Sequence, residues 1–200
     1  DRVGLRRLAR RGDEILLNGE PVHLCGISIH EEALHEPRRA HSEADAWALL
    51  GAARELGCNF VRLAHYPHNV HMARVADELG LLLWEEIPVY WSIDWTNPET
   101  LADARGQLAE VILRDRNRAS VALWSVANET SVGAERNAFL TRLIDDARDL
   151  DPTRLVTAAL FMRPDKQVED GRVLRSYTLD DPLAEALDVV GCNQYLGWYY

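Results

Sequence analysis

Short, near-continuous apolar runs alternate along the chain with longer segments whose apolar positions recur every three or four residues, which is the pattern of buried strands between amphipathic helices. The first such stretch, EILLNGEPVHLCGI, has apolar runs on either side of Asn18-Gly19, the dipeptide that most readily takes the two positive φ angles of a tight hairpin turn. Its second arm, Val22 to Ile27, reads as a buried strand. A helix is predicted from about Glu43 to Leu56, with Ser42 as N-cap, Asp45 in the first turn and Gly57 as the stop. Trp47, Leu50 and Ala53 are its expected inward face. The same alternation then repeats. Asn59 to Leu63 predicts a strand, Val70 to Leu79 a helix stopped by Gly80, and Leu81 to Glu85 a strand. Leu101 to Arg116 predicts a helix opened by Thr100, with Leu101, Ala104, Leu108 and Val111/Ile112 at helical spacing. Strands follow at Val121 to Ala127, Arg154 to Leu160 and Leu187 to Asn193, with a helix at Glu135 to Leu150. Residues 161–180 are polar and poorly periodic and predict an irregular excursion.

Apolar strands alternating with amphipathic helices indicate an α/β fold with a parallel sheet covered on its faces. Both a doubly wound sheet and a (β/α)8 barrel fit that description. The polar groups separate them: His30, His65, Glu85/Glu86, Asn128-Glu129 and Asn193/Tyr195 all fall at, or just past, the carboxyl end of a strand. Several strands contributing to one mouth is the active-site plan of a (β/α)8 TIM barrel, and no glycine-rich phosphate loop follows the first strand. Six strands are predicted where that barrel needs eight. The expectation is therefore a single TIM-barrel domain over residues 1–200, truncated after the sixth strand and led in by a hairpin around 13–27.

Composition narrows the partners. A hydrophobic content of 47% is enough for one sizeable core. The balance of 32 acidic against 22 basic residues, net charge −10, repels a polyanion, so no nucleic-acid partner is expected. RRLARR, Arg6 to Arg11, is the only basic run and reads as a solvated terminal segment. Cys25, Cys58 and Cys192 are widely spaced among apolar residues and read as buried free thiols, favouring a reducing compartment with the cytoplasm as the expected location. No apolar run has the length of a membrane span, and no membrane partner is expected. The chain begins at Asp1 and stops in GWYY, which suits a piece of a longer polypeptide.

Glu129 is the first candidate for chemistry. A carboxylate after a buried strand can simply cap or solvate the next helix. Here Trp124 precedes it in the strand and Asn128 adjoins it; a carboxyl in apolar surroundings can deliver a proton, and a neighbouring amide can hold a substrate hydroxyl. HEEALHE places His30 and His35 five apart, which fails the four-residue spacing of the helical zinc motif. In HYPHNVH, Pro67 breaks any helix through His65 and His68, so His68 and His71 read as helix-start and surface residues. His30 and His65 share the mouth with Glu129, where a neutral histidine suits sugar hydroxyls. Of Glu85 and Glu86, one is expected to partner Arg62 or another barrel cation, or else to serve Glu129 as a second carboxylate. Tyr90, Trp91 and Trp95 read either as local packing or as platforms for a sugar ring.

NGEPVHLCGISIHEE, NFVRLAHYPHN, LLLWEEIP, LRDRNRASVALWSVANE and DVVGCNQYLGWYY, in this order, resemble the catalytic barrel of glycoside hydrolase family 2, the β-galactosidase, β-glucuronidase and β-mannosidase group. The resemblance runs from about Ile15 to Tyr200. It implies a retaining exo-β-glycosidase with Glu129 as general acid/base and Asn128 on the 2-hydroxyl. It also implies that His30, His65, Glu86, Asn193, Tyr195, Trp198 and Tyr199 line the sugar site, with no metal and no cofactor. The partner is then a β-glycoside, β-glucuronide favoured by the form N-x-Y-x-G-W-Y, and a homo-oligomer of the full-length protein stays open. Two features depart from the family. RDRNRAS stands where it usually reads RDRNHPS, placing Arg118 and Ala119 in a helix-strand turn. The family's nucleophile, a Glu at the end of the seventh strand, is expected beyond Tyr200, so these 200 residues alone are expected to be inactive. Two readings stay beside this one: a non-catalytic carbohydrate-binding barrel, and a metal-dependent hydrolase using His30 and His65.

Overall fold

The computed structural model describes residues 3–169 and 172–194. The elements in chain order are β1 (Leu8–Arg11), β2 (Glu14–Leu17), β3 (Glu20–Pro21), β4 (Gly26–Ile29), α1 (Glu43–Glu55), β5 (Phe60–Leu63), α2 (Val70–Leu79), β6 (Leu82–Glu86), α3 (Pro98–Asp115), β7 (Val121–Asn128), α4 (Ala134–Leu150), β8 (Leu155–Leu160), β9 (Arg163–Glu169), β10 (Arg172–Thr178), a 3₁₀ turn (Pro182–Ala186) and β11 (Val189–Cys192). Strands β4, β5, β6, β7, β8 and β11 form one sheet in that spatial order, and every pairing is parallel. A doubly wound sheet reverses its order at a switch point. This order never reverses, so the sheet is six consecutive staves of a TIM barrel.

The helices cover the outside of the sheet. Ala46, Leu49, Leu50 and Ala53 of α1 and Met72, Ala73, Val75 and Ala76 of α2 pack with Val61, Leu63 and Leu83. Residues of α3 and α4 pack with Val121, Trp124, Val126 and Val156. Helix ends follow local chemistry: Ser42 and Asp45 form a reciprocal capping box, and Gly80 closes α2 at φ 67°. The small sheet β1-β2-β3 sits against the amino end of the barrel strands, where Leu8, Ile15 and Leu17 meet Leu82, Trp84 and Ala159. Asn18 and Gly19, at φ 55° and 91°, make the expected tight turn between β2 and β3.

Several expectations are corrected. RRLARR is not a solvated tail: it carries β1, which pairs with β2, and Arg6 donates to the carbonyls of Ala119 and Val121. Of the strand expected over Val22 to Ile27 only Gly26 and Ile27 are in one, because β3 ends at Pro21 and the barrel strand runs from Gly26 to Ile29. Trp47 is 39% exposed; the buried stripe of α1 runs through Ala46, Leu49, Leu50 and Ala53, one residue out of phase with it. Helix α3 starts earlier than Thr100, since Asn97 accepts from the Glu99 amide and Pro98 takes the first turn. Residues 161–180 are not irregular: β9 and β10 pair antiparallel from Arg163↔Thr178 to Glu169↔Arg172, a backbone ladder that needs no apolar alternation. Only Cys58 is buried; Cys25 and Cys192 are exposed, lying beside or on β4 and β11, the outer strands of the sheet.

Candidate active site

The site is assembled at the carboxyl ends of the strands. β7 is buried along its whole length, and its register against β8 shifts between Ser125 and Asn128. The Glu129 backbone takes the left-handed region at φ 50°, and its amide donates to Ala159 O at 2.8 Å. A non-glycine residue in that region is uncommon and is held there by its surroundings. On the other side, Asn128 N donates to Val89 O at 2.9 Å and Asn128 O accepts from Trp91 N at 3.1 Å. The loop after β6 is thereby stitched to the strand end that carries Glu129.

Beneath lies Arg62, the interior-facing arginine of β5. Its guanidinium stacks over the Trp84 ring at 4.6 Å and makes a two-point bond to the buried Glu86 carboxylate through Nε and Nη2. Nη1 donates to Asn193 Oδ1 at 2.8 Å and Nη2 to Asn128 Oδ1 at 2.7 Å. Asn193 Nδ2 also donates to Asn128 Oδ1, at 3.0 Å. Two donors on one oxygen define the carboxamide orientation. With its oxygen so occupied, the carboxamide has its nitrogen as the remaining polar atom. His65 lies 3.3 Å by its Nδ1 from Arg62 and 3.5 Å from Glu86. Its ring is edge-on to His30 at 5.4 Å, and the Tyr66 hydroxyl lies 3.4 Å from His30 Nδ1.

His30, His65, Tyr66, Tyr90, Trp91, Asn128 and Glu129 line one cleft of about 360 Å³. Six sequence candidates, His30, His65, Tyr90, Trp91, Asn128 and Glu129, thus meet in its wall. Glu86, 1% exposed, lies behind the wall against Arg62, and Asn193 touches both Arg62 and Asn128. Tyr195, Trp198 and Tyr199 lie outside the described residues. Trp95 packs on Phe139 at 5.3 Å, away from the cleft. Arg62, expected as a partner for Glu85 or Glu86, pairs with Glu86 and also holds Asn128 and Asn193; its signal is a charge inside the apolar run NFVRL, which demands a buried partner, whereas Tyr66 has no such signal.

The remaining candidates have structural roles. Glu31 of HEEALHE is buried, accepts from the Asn69 backbone and side-chain nitrogens and pairs with Arg39, securing the loop after β4 to the start of α2. His68 is not a surface residue but is buried: its Nε2 lies 3.0 Å from Ala64 O and its ring stacks on Tyr66, and burial holds its pKa down. Glu85 faces the opposite way from Glu86, fully buried, with no hydrogen-bond partner for either oxygen among the described residues. Burial, then the nearby Asp115 carboxylate, pushes its pKa well up. Among the described residues no three His, Cys, Asp or Glu side chains are grouped to hold a metal ion, and no helix is long and apolar enough to cross a membrane. The Arg118-Ala119 departure lies in the α3–β7 turn, at the opposite end of the strands from the cleft.

Comparison with known proteins bears on the fold and the family. The family described as "Glycosyl hydrolases family 2, TIM barrel domain" matches residues 8–200. A β-glucuronidase of Streptococcus agalactiae is 30% identical over 100% of this chain and 34% of its own length. A β-galactosidase of Thermoanaerobacterium thermosulfurigenes is 33% identical over 96% of this chain and 26% of its own. The crystal structure of an FMN-binding β-glucuronidase from Facaelibacterium prausnitzii L2-6 superposes with a TM-score of 0.84 at 28% identity, covering 98% of this chain and 29% of that one. The chain therefore spans only about a quarter to a third of the length of the curated relatives it matches. With a monotonic parallel sheet, a strand-end Asn-Glu pair over one cleft, and a match along nearly all of its length, the chain belongs to the TIM-barrel domain of glycosyl hydrolase family 2.

Proposed function

We propose that this chain carries the acid/base half of a retaining exo-β-glycosidase, acting on terminal β-linked sugars with β-glucuronides favoured. The observation that carries the reading is the Asn128-Glu129 pair: an amide oriented by Arg62 and Asn193 beside a carboxyl group in the cleft wall. In a double displacement, Glu129 protonates the glycosidic oxygen as the bond to the leaving group breaks, and later takes a proton from the water that releases the sugar. Asn128 donates to the hydroxyl next to the anomeric carbon, and His30 and His65 line the sugar. The attacking carboxylate must lie about 5 Å from Glu129. Glu86 is a poor candidate, being engaged by Arg62 on the strand adjacent to β7. A Glu from a seventh strand, beyond residue 200, fills that role in this proposal, so the 200 residues alone are inactive. β-Galactosides remain the second reading, favoured by the 33% identical β-galactosidase. The three free thiols support a reducing, cytoplasmic setting.

The test uses the full-length protein with aryl β-glucuronides, β-galactosides and β-mannosides. Glu129→Gln is expected to lower kcat by about 10²–10⁴-fold, with added azide restoring turnover and giving a glycosyl azide of retained configuration. Near-normal activity in this variant removes the assignment. Binding of sugar without hydrolysis by the wild type supports the non-catalytic barrel, and activity abolished by chelators supports the metal-dependent one.

A further inference from the structure

We infer that Trp91 is the platform for the leaving group, and that the leaving group it selects is a planar aromatic one. The inference rests on Glu129 as the proton donor. A general acid reaches the glycosidic oxygen, so the leaving group must lie on Glu129's side of the cleft. Trp91 stands there, 66% exposed and lining the same cleft as Glu129.

Its position is built. The Trp91 amide donates to the carbonyl of Asn128, the residue immediately before Glu129, at 3.1 Å. Its backbone sits at φ 56°, a region in which a bulky side chain is a genuine outlier that only surrounding contacts sustain. Tyr90 meets the indole edge-on at 5.4 Å and 81°. On its other side Tyr90 lies 6.3 Å from the His65 ring. Tyr90 therefore divides a histidine-lined portion, suited to sugar hydroxyls, from an indole-lined one. Folding alone gives no reason to expose the largest apolar side chain of the cleft, and a lone exposed indole in solvent needs none of these tethers. The exposed side chains following β7 and β8 include Val132 and Phe161, which add apolar surface at the same end of the barrel. A second sugar as leaving group would want hydroxyl partners along its ring edge, whereas an aromatic ring needs the offset or edge contacts that an indole supplies.

The experiment compares phenyl and methyl β-glycosides of glucuronic acid, galactose and mannose with the full-length protein, as wild type, Trp91→Ala and Trp91→Phe. In parallel, binding of the corresponding phenyl and methyl 1-thio-β-glycosides is measured by calorimetry. The expected result is a fall of about tenfold in the phenyl-to-methyl ratio of kcat/KM for Trp91→Ala, matching an aromatic contact near 1.4 kcal/mol, with most of the ratio kept by Trp91→Phe. The phenyl-to-methyl affinity ratio of the thioglycosides shifts in parallel. An unchanged ratio in both measurements overturns the inference. A larger loss for a β-linked disaccharide than for the phenyl glycoside overturns the aromatic preference. A wild type that binds phenyl thioglycosides in preference to methyl ones, loses that preference in Trp91→Ala, yet hydrolyses nothing leaves the platform standing and removes the catalytic reading instead.

Discussion

Replacing Arg62 by Met tests whether the cleft is held from below. The methionine keeps apolar bulk over Trp84, which now meets the guanidinium at 4.6 Å, but removes every donor. Glu86, 1% exposed, then keeps only the long approaches of its two oxygens to His65 Nδ1, at 3.4 and 3.5 Å. Leaving one partner of a buried ion pair uncompensated costs about 3–5 kcal/mol. Loss of one of the two donors on Asn128 Oδ1 adds about 1 kcal/mol. The total expected destabilisation is about 4–6 kcal/mol. Glu86→Gln introduced into Arg62→Met removes the stranded charge and is expected to recover about 2 kcal/mol or more. The assay is urea unfolding of the full-length protein, read as the midpoint and slope of the barrel transition for wild type, both single variants and the double variant. Turnover of an aryl β-glycoside is followed in the same set; it falls in Arg62→Met because the Asn128 carboxamide can then turn over. A loss below about 1 kcal/mol in Arg62→Met, or a double variant no more stable than that single one, refutes the reasoning.

Two other positions make independent predictions. Burial raises the Glu85 pKa in the folded state, so the folded protein binds more protons than the unfolded chain and stability falls as pH rises above the ordinary glutamate range. Glu85→Gln removes that linkage: in urea unfolding its advantage over wild type grows by about 1.4 kcal/mol per pH unit while Glu85 stays protonated in the fold, and vanishes below about pH 4; a pH-independent difference contradicts it. A methyl group on Gly191 would fall inside contact distance of the Trp84 ring, so Gly191→Ala is expected to cost about 1–3 kcal/mol. By displacing the ring under Arg62 it is also expected to raise KM; a well-folded variant with wild-type kinetics excludes this coupling.

Much of the fold was legible because strands β5 to β8 are buried on both faces and announce themselves as apolar runs, while Ser42, Gly57 and Gly80 punctuate helices through local backbone chemistry. The elements that periodicity misses depend on partners distant in the chain. Leu8 becomes a strand residue only because β2 turns back onto it. The β9–β10 ribbon is ordered by its backbone ladder, which no hydrophobic period reports. Trp47 shows the limit of periodicity, since a phase error of one residue turns a side chain by about 100° and moves it from core to surface.

For the site, sequence alone determined which strand ends carry polar groups, because a side chain's place along a strand is local information. It singled out Asn128 and Glu129 and the two histidines of the mouth. Which of these face one another was decided by the tertiary structure. Glu85 and Glu86 are neighbours in sequence with equal claims on the chemistry, and strand alternation sends one into the buried layer beneath the helices and the other to Arg62 inside the barrel. Likewise the orientation of the Asn128 amide depends on Arg62 and Asn193, which are 66 and 65 residues away. Only the side-by-side pairing of the parallel strands brings those donors within hydrogen-bonding distance of one oxygen.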